Sequence, residues 1–401
     1  MPGHCRRKAQ VMNTARIPGP GANLARLRKI AGMTQSRLAQ AMGVSEEHLG
    51  KMERGLRTLT QGNAARAAQA LGTPLDEVLG RTPVDVRTEA DLGELRAVIR
   101  RFDLPGERPR VDFRGILTRT KRIGGHVKSA DLAALIDELP EFLTIATDHA
   151  HATGKPAAWE VVTLGYSAVY YLAARHRWMD LAELAVVRQK AAAERATPFA
   201  PVIAARDEAG AFLNSGDFPG GLAVVDRALV RAQAELSGRE RTLAEGVLRL
   251  RGMTLAGRLR DRAEAERHIT GARDAASAIT EDVTDSGRMF GPQNTAVHVA
   301  ATLADLGRYR ESADTADELK RTKLSLPPTR VMNLFVDDSR TRLALKDRDG
   351  ALMSLRLAFE AAPQKAKVHP TSQEVLRVLV ELHRRSNPDL RKLANTMGLS
   401  F

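Results

Sequence analysis

The sequence predicts an all-α protein in two parts, and three observations carry that expectation. Residues 34 to 55, TQSRLAQAMGVSEEHLGKMERG, space their small, apolar and turn residues as two helices folded at a sharp angle. From about residue 129 the chain reads as helices in pairs, separated by turn signals at a nearly regular interval. No clear alternating strand is found after the first unit. The expected divisions are a disordered N-terminal extension at 1–21, a helix-turn-helix unit at 22–80, a linker with connecting helices at 81–128, and a helical-repeat body at 129–401.

The opening segment is basic but lacks the apolar centre of a signal peptide, and the prolines and glycines at 18 to 21 oppose helix formation. Such an arm can reach a minor groove; a floppy terminus is the plainer reading. In the helix pair, Thr34 caps a first helix that carries Leu38, Ala39 and Met42 on one face. Gly43 accepts the positive backbone angle of the turn, and Val44 plugs the corner. Ser45 caps the second helix, Glu46 and Glu47 complement its positive end, Leu49 and Met52 point inward, and Gly55 stands at its end. Ala39 is small because the second helix crosses close above it.

The charge balance favours a polyanionic partner. The chain holds 61 Lys+Arg against 48 Asp+Glu, a formal net charge of +13, and residues 1 to 80 supply +7 of it from 12 basic and 5 acidic side chains. Concentration of that excess on the helix pair makes DNA a better expectation than a membrane surface. Cys5, the one cysteine, excludes an internal disulfide framework and a thiolate zinc site. There is no run of about 18 apolar residues, so neither a membrane span nor a membrane partner is expected, and the protein is placed in the cytoplasm.

The helix pair, the leading amphipathic helix ANLARLRKIAG and the closing stretch GNAARAAQALGTPLDEVLG together resemble the DNA-binding unit of the Xre family, the phage-repressor or lambda-repressor-like type of helix-turn-helix regulator. That resemblance implies that the helix beginning at Ser45 enters a major groove. It carries Glu46, Glu47, Gly50 and Lys51 over as base-facing positions, and Gln35, Ser45, Arg54 and Arg57 as backbone-positioning ones. It also pairs Arg28 with Glu53 in a structural role. Two consecutive glutamates at the base-facing end are unfriendly to phosphate, although a carboxylate can accept from the cytosine amino group. Hence a competing reading stands: a helical-repeat adaptor for protein partners with a degenerate helix-turn-helix.

Beyond the linker near RTPVD, residues 88 to 103 place Leu92, Leu95, Val98, Ile99 and Phe102 on one helical face. The turn signals then recur as RHRWMDLA, NSGDFPGGLA, GRLRDRAEA, LGRYRESA and LKDRDGA, with Ala182, Leu222, Ala265, Ala313 and Ala351 at or next to their ends, 40, 43, 48 and 38 residues apart. One hairpin cannot bury its apolar face alone, so such hairpins stack into a superhelix with a concave side. LGRYRESA resembles the tetratricopeptide turn, and Trp178, Phe218 and Tyr309 take its aromatic position, although the interval exceeds the usual 34 residues. The segments LGELRAVIRRFDLP, MFGPQNTAVHVAATLADLGRY and VHPTSQEVLRVLVELHRRSNPDLRKLANTMGL resemble an actinobacterial group of Xre-type regulators with tetratricopeptide-like C-terminal repeats. The resemblance implies transcription regulation, homodimerisation on a double-stranded DNA operator, and a signalling peptide, small-molecule or protein ligand in the repeats.

Within those repeats the first helix of each hairpin is expected to line the concave face. Asn294 lies 15 residues before Tyr309 and Asn333 lies 15 before Arg348, so both occupy equivalent first-helix positions and suit the backbone of an extended peptide. The plainer reading has them bonding neighbouring helices, with Asn294 capping one beside GPQ. Arg258, Arg330 and Asp337 are weaker candidates. Catalysis and cofactors are not expected: His149 and His151 in the DHxH string face different sides of a helix, and His298 reads as a packed histidine. The glycine pairs at 124–125 and 220–221 read as turns lacking a phosphate-loop sequence.

Overall fold

The computed structural model describes residues 19–80, 89–106, 112–285, 287–382, 390 and 393; of the arm expected at 1–21, residues 1–18 lie outside the described residues, as does the RTPVD linker. Pro20 and Gly21, expected to oppose a helix, instead form the first turn of one, Pro20 standing where its missing N–H costs nothing. Twenty helices and one isolated bridge, Val283 to Phe290, make up the regular structure there.

The head comprises α1 (Pro20–Ile30), α2 (Gln35–Met42), α3 (Glu46–Glu53), α4 (Gln61–Leu71) and α5 (Leu75–Val78). Thr34 accepts from the Arg37 N–H and Ser45 from the His48 N–H, so both central helices start where their hydroxyl caps stand. Gly43, at φ 63°, turns the chain between them. Leu24, Leu38, Met42, Leu49 and Met52 are fully buried and Ala39 is 2% exposed, forming a core of their own.

The body begins with α6 (Glu89–Arg100), α7 (Phe113–Ser129), α8 (Leu132–Thr153), α9 (Pro156–His176) and α10 (Met179–Ala193). It continues through α11 (Ala200–Ser215), α12 (Phe218–Glu235), α13 (Gly238–Leu259) and α14 (Arg262–Ser277). The last elements are α15 (Pro292–Asp305), α16 (Tyr309–Lys320), α17 (Pro328–Ala344), α18 (Arg348–Ala361), α19 (Pro363–Val368) and α20 (Pro370–Leu382). Each odd-numbered helix from α7 to α15 packs against the next odd-numbered one, and its even-numbered partner lies outside. Thus α7, from the segment expected to connect the two parts, takes an inner place in the stack. Leu95, Ile99 and Phe102 of the preceding segment are buried beside it.

The five turn signals fall between the helices of five hairpins, and each contains one residue at positive φ: Arg177, Gly216, Arg260, Gly307 and Lys346. Asp217, Asp261 and Asp347 then cap the following helices. Ala182, Ala265 and Ala351 are fully buried where the second helices cross, and Leu222 and Ala313 are 8% and 9% exposed. The glycine pairs are helical and are not turns. Gly124 and Gly125 sit within α7, while Gly220 and Gly221 open α12, where Leu255 of α13 comes within 2.7 Å of any Cβ at Gly221. The stack closes on itself: α17 packs on α7, α19 packs on α9, and Gln364 accepts from the Leu132 N–H at 3.1 Å.

Candidate functional site

The head presents α3 outward. Ser45, Glu46, Glu47 and Arg54 are exposed, whereas Lys51, Gln35 and Arg57 are half-buried. Lys51 Nζ meets Glu47 Oε1 at 2.7 Å, and that bond holds the Glu47 carboxyl below its usual range. Gly50, expected to face bases, is buried instead: the Gln35 amide lies over it, and Arg54 Nε donates to its carbonyl at 3.1 Å. A residue without a side chain offers bases nothing to read, and here it admits Gln35.

Behind that face, Arg28 Nε donates to Glu53 Oε1 at 2.6 Å and the same guanidinium reaches Oε2 at 3.1 Å. A third Arg28 nitrogen bonds the Met33 carbonyl, and Gln35 bonds Glu53 Oε2 at 2.6 Å. The hydrogen bond that Arg28 donates to Glu53 raises the pKa of the guanidinium. Gln35 therefore links the outward face to the pair that fastens α1 to α3.

The body adds charge beside this face that the sequence pattern does not show. Arg260, exposed in the α13–α14 turn, and Arg66 of α4 share Asn63 Oδ1, at 3.2 and 2.6 Å. Burial, then Arg260, pulls Arg66 down to about 10; burial, then Arg57 and Arg260, pulls His48 down to about 4. The head is seated here. A Cβ at Gly62 would stand 2.7 Å from the Arg258 carbonyl, Arg177 pairs with Asp76, and the Leu59 N–H donates to Glu374 at 3.1 Å.

Inside the ring lies a cavity of about 580 Å³. Leu59, Gln61 and Leu79 of the head close one side, and α7, α9, α11, α13, α15, α17, α19 and α20 supply most of the rest, with Phe142 of α8 and Met289 of the loop before α15. Asn333, Arg330, Asp337, Arg258 and His298 all line it. His298 therefore faces space as well as packing, with Nδ1 3.3 Å from Thr254 Oγ1. Asn294 does not join them. Fully buried, it donates to the Met289 carbonyl while its N–H is capped by Asp282. Equivalent spacing thus fails to put the two asparagines on one surface, because the bridge from Val283 to Phe290 folds a loop over the start of α15.

The titratable strings outside the cavity do not converge on chemistry. Asp148 accepts from the Gly106 N–H, His149 stacks on Phe113 and His151 bonds the Phe102 carbonyl. Asp226, Glu264 and His268 bring ligand atoms within 4.8 Å of one another, but Arg267 bonds both carboxylates. No helix among the described residues is long and apolar enough to cross a membrane.

A capped helix pair with its second helix open to solvent, set in a five-helix head, defines a DNA-binding unit. The family described as Helix-turn-helix matches residues 24–78. The uncharacterized HTH-type transcriptional regulator y4dJ of Sinorhizobium fredii is 40% identical over 65 residues, 16% of this chain and 82% of that relative. The chain belongs to the Xre-type helix-turn-helix family and is a DNA-binding transcription regulator. It is also similar to a solved point mutant of PrgX, at 10% identity over 94% of this chain and 99% of that one, with a TM-score of 0.23. A PrgX/iCF10 complex is similar at 11% identity over 92% and 98%, again with a TM-score of 0.23.

Proposed function

We propose that the protein is a non-enzymatic cytoplasmic regulator that binds a duplex operator as a homodimer, and that a ligand in the ring cavity biases the position of its head. Glu46, Glu47 and Lys51 face the bases in this reading. Gln35, Ser45, Arg54 and Arg57 fix phosphates, joined by Arg66 and Arg260, and Gly50 contributes only its backbone. The observation that carries the ligand reading is the shared lining of the cavity: head residues and every inner helix border the same space. A ligand that prefers the seated head shifts the head's equilibrium by its difference in affinity for the two arrangements. A signalling peptide, a small molecule or a protein segment fits that requirement, and Asn333 is the asparagine placed to meet it.

The test begins with duplexes selected for binding from random sequence. Log K should fall linearly with log salt at a slope of about −0.9 per neutralised phosphate. Arg54→Ala, Arg57→Ala and Arg260→Ala should each flatten that slope by about 0.9. Affinity independent of salt and of all three changes would favour the adaptor reading.

A further inference from the structure

Most of the buried charge in the body is paired. Arg258 and Arg340 share Asp305, and Arg342 and Lys320 share Asp338 at 3.0 and 2.9 Å. The inner face of the ring departs from this. Nine basic side chains line the cavity against four acidic ones, so complete pairing within it is impossible. The imbalance is concentrated on Arg175 of α9, Arg251 of α13, Arg330 of α17 and Lys365 of α19. Among the described residues, none of these four forms an ion pair with a carboxylate.

Their contacts are with neutral groups. Arg175 lies 5.0 Å over the Tyr171 ring, and Arg330 Nε is 3.1 Å from Met289 Sδ. Lys365, only 2% exposed, donates to the Thr329 carbonyl at 3.0 Å and to Asn333 Oδ1 at 2.7 Å. The Nε of Arg251 has no hydrogen-bond partner among the described residues. The four also repel one another. Burial, followed by Arg206, Arg251 and Arg175, draws Arg330 down to about 10, and burial, then Arg175 and Arg330, draws Lys365 well below its usual value. His298 is depressed by burial and then by Arg330, Arg251 and Lys365, so it faces the same cations neutral.

Like charges gathered in a half-buried space lower stability, and Asp207 near Arg251 and Asp337 near Lys365 offset that only in part, four carboxylates standing against nine cations around the cavity. Guanidinium forks from separate helices converging on one space fit oxyanions, which accept two parallel hydrogen bonds from each fork. The volume falls in the range of about 300 to 1,000 Å³ that small-ligand sites occupy, and a DNA duplex is too wide to enter. We propose that the ring cavity is the binding site of a compact polyanion, a small molecule bearing phosphoryl groups or clustered carboxylates, held by Arg175, Arg251, Arg330 and Lys365. This rests on the reading of the cavity as the regulator's ligand site and names the class of ligand. Because Leu59 and Gln61 border the same space, the anion meets the head and the ring together.

The full-length protein is titrated with sodium pyrophosphate and, separately, with citrate, each against sodium chloride of equal ionic strength, and thermal unfolding and calorimetry are read. The expected result is a saturable rise in Tm beyond the chloride control with one probe or both; pyrophosphate alone marks a phosphoryl ligand, citrate alone a carboxylate one. Arg251→Gln with Arg330→Gln should weaken that binding at least tenfold and leave the unliganded protein as stable as the parent or more so, since repulsion is relieved. Should the double variant not fold, Lys365→Met is read in the same way. Saturable binding by neither probe overturns the proposal, as does a variant that is less stable yet binds the anion normally, for then the cations hold the fold. The control reading is separated by operator affinity. An anion that binds here without changing it leaves this site standing and removes sensing; an uncharged ligand that changes it equally in parent and variants keeps sensing and removes the polyanion.

Discussion

The head and the ring treat buried charge in opposite ways. In the head, Arg28 and Glu53 are 9% and 8% exposed, meet at 2.6 Å, and have their remaining polar atoms met by Met33 and Gln35. In the ring the interfaces between helices follow that rule at Asp305 and Asp338, yet on the inner face Arg251, Arg330 and Lys365 form no ion pair with a carboxylate among the described residues. A charge with its partner fixes two elements against each other. A set of like charges turned toward one space lowers stability until something of opposite sign fills it. Pairing therefore separates the side chains that build this protein from those available to bind.

The largest effect expected from that contrast is at Glu53. Glu53→Ala leaves the Arg28 guanidinium buried with only neutral acceptors, which costs about 3 to 5 kcal/mol when a buried pair is broken. Hydrogen exchange on the full chain should show the amides of Leu24, Leu49 and Met52 losing protection while those of the ring keep theirs. Unchanged protection in the head would remove the pair as its fastening.

Acid extends the comparison, because each part holds a histidine that burial pulls down to about 4: His48 in the head and His268 in the ring. His268 is fully buried, and Arg267 adds to the depression. Above the ordinary value of 6.5 both the folded and unfolded chains carry it neutral. As pH falls below that value the unfolded chain takes up a proton and the folded one does not, so stability is lost until the folded group titrates near 4. The gap corresponds to a loss of up to about 3 kcal/mol. Urea unfolding at pH 7.5 and 4.5 should show a smaller loss in His268→Asn than in the parent. His48→Asn should show a lesser version, since solvent reaches that ring. Equal acid losses in His268→Asn and parent would mean that the ring charges without penalty.

A gentler test lies on the outward face, where charge is paired without burial. Glu47→Gln frees Lys51 from its 2.7 Å contact and removes one anion from the DNA side. Affinity for duplex should rise, and if the freed Lys51 swings from the bases to a phosphate the slope of log K against log salt should steepen by about 0.9. An affinity that falls equally at every salt concentration would mean that Glu47 itself accepts from a base.

Much of the head is legible in the sequence because its determinants are local. Thr34, Gly43 and Ser45 mark helix ends within a few residues of the backbone groups they satisfy. The ring is legible at its turns for the same reason, each signal holding its one left-handed residue. Its closure is not, since Gln364 reaches Leu132 across 232 positions. Nor is the cation cluster, whose members come from four helices and share no spacing. Arg258, Arg330 and Asp337 are placed on the concave side by the rule that first helices face inward. Asn294 obeys the same rule in sequence and fails it in space, because the loop before α15 covers it. The glycine pair in α7 misleads likewise, since composition alone does not separate a turn from glycines carried inside a helix.

The smallest effect concerns those left-handed turns, and it again contrasts the ring alone with the ring against the head. Arg177, Arg260 and Lys346 hold φ of 62°, 64° and 69°, where a Cβ crowds the following carbonyl at a cost of about 1 to 2 kcal/mol. Glycine avoids that crowding but loses more chain entropy on folding, roughly 0.5 to 1 kcal/mol relative to alanine, so the net gain from Lys346→Gly should be about 0.5 kcal/mol. Lys346 is exposed, and among the described residues its side chain makes no hydrogen bond or ion pair to offset the gain. At the other two turns the side chain touches the head, Arg177 through Asp76 and Arg260 through Asn63, and glycine removes that contact along with the strain. Denaturant midpoints should therefore rise for Lys346→Gly and fall or stay level for Arg177→Gly and Arg260→Gly. The reverse order would mean that neither contact helps to seat the head, and that the turns of the ring are free to relax wherever they lie.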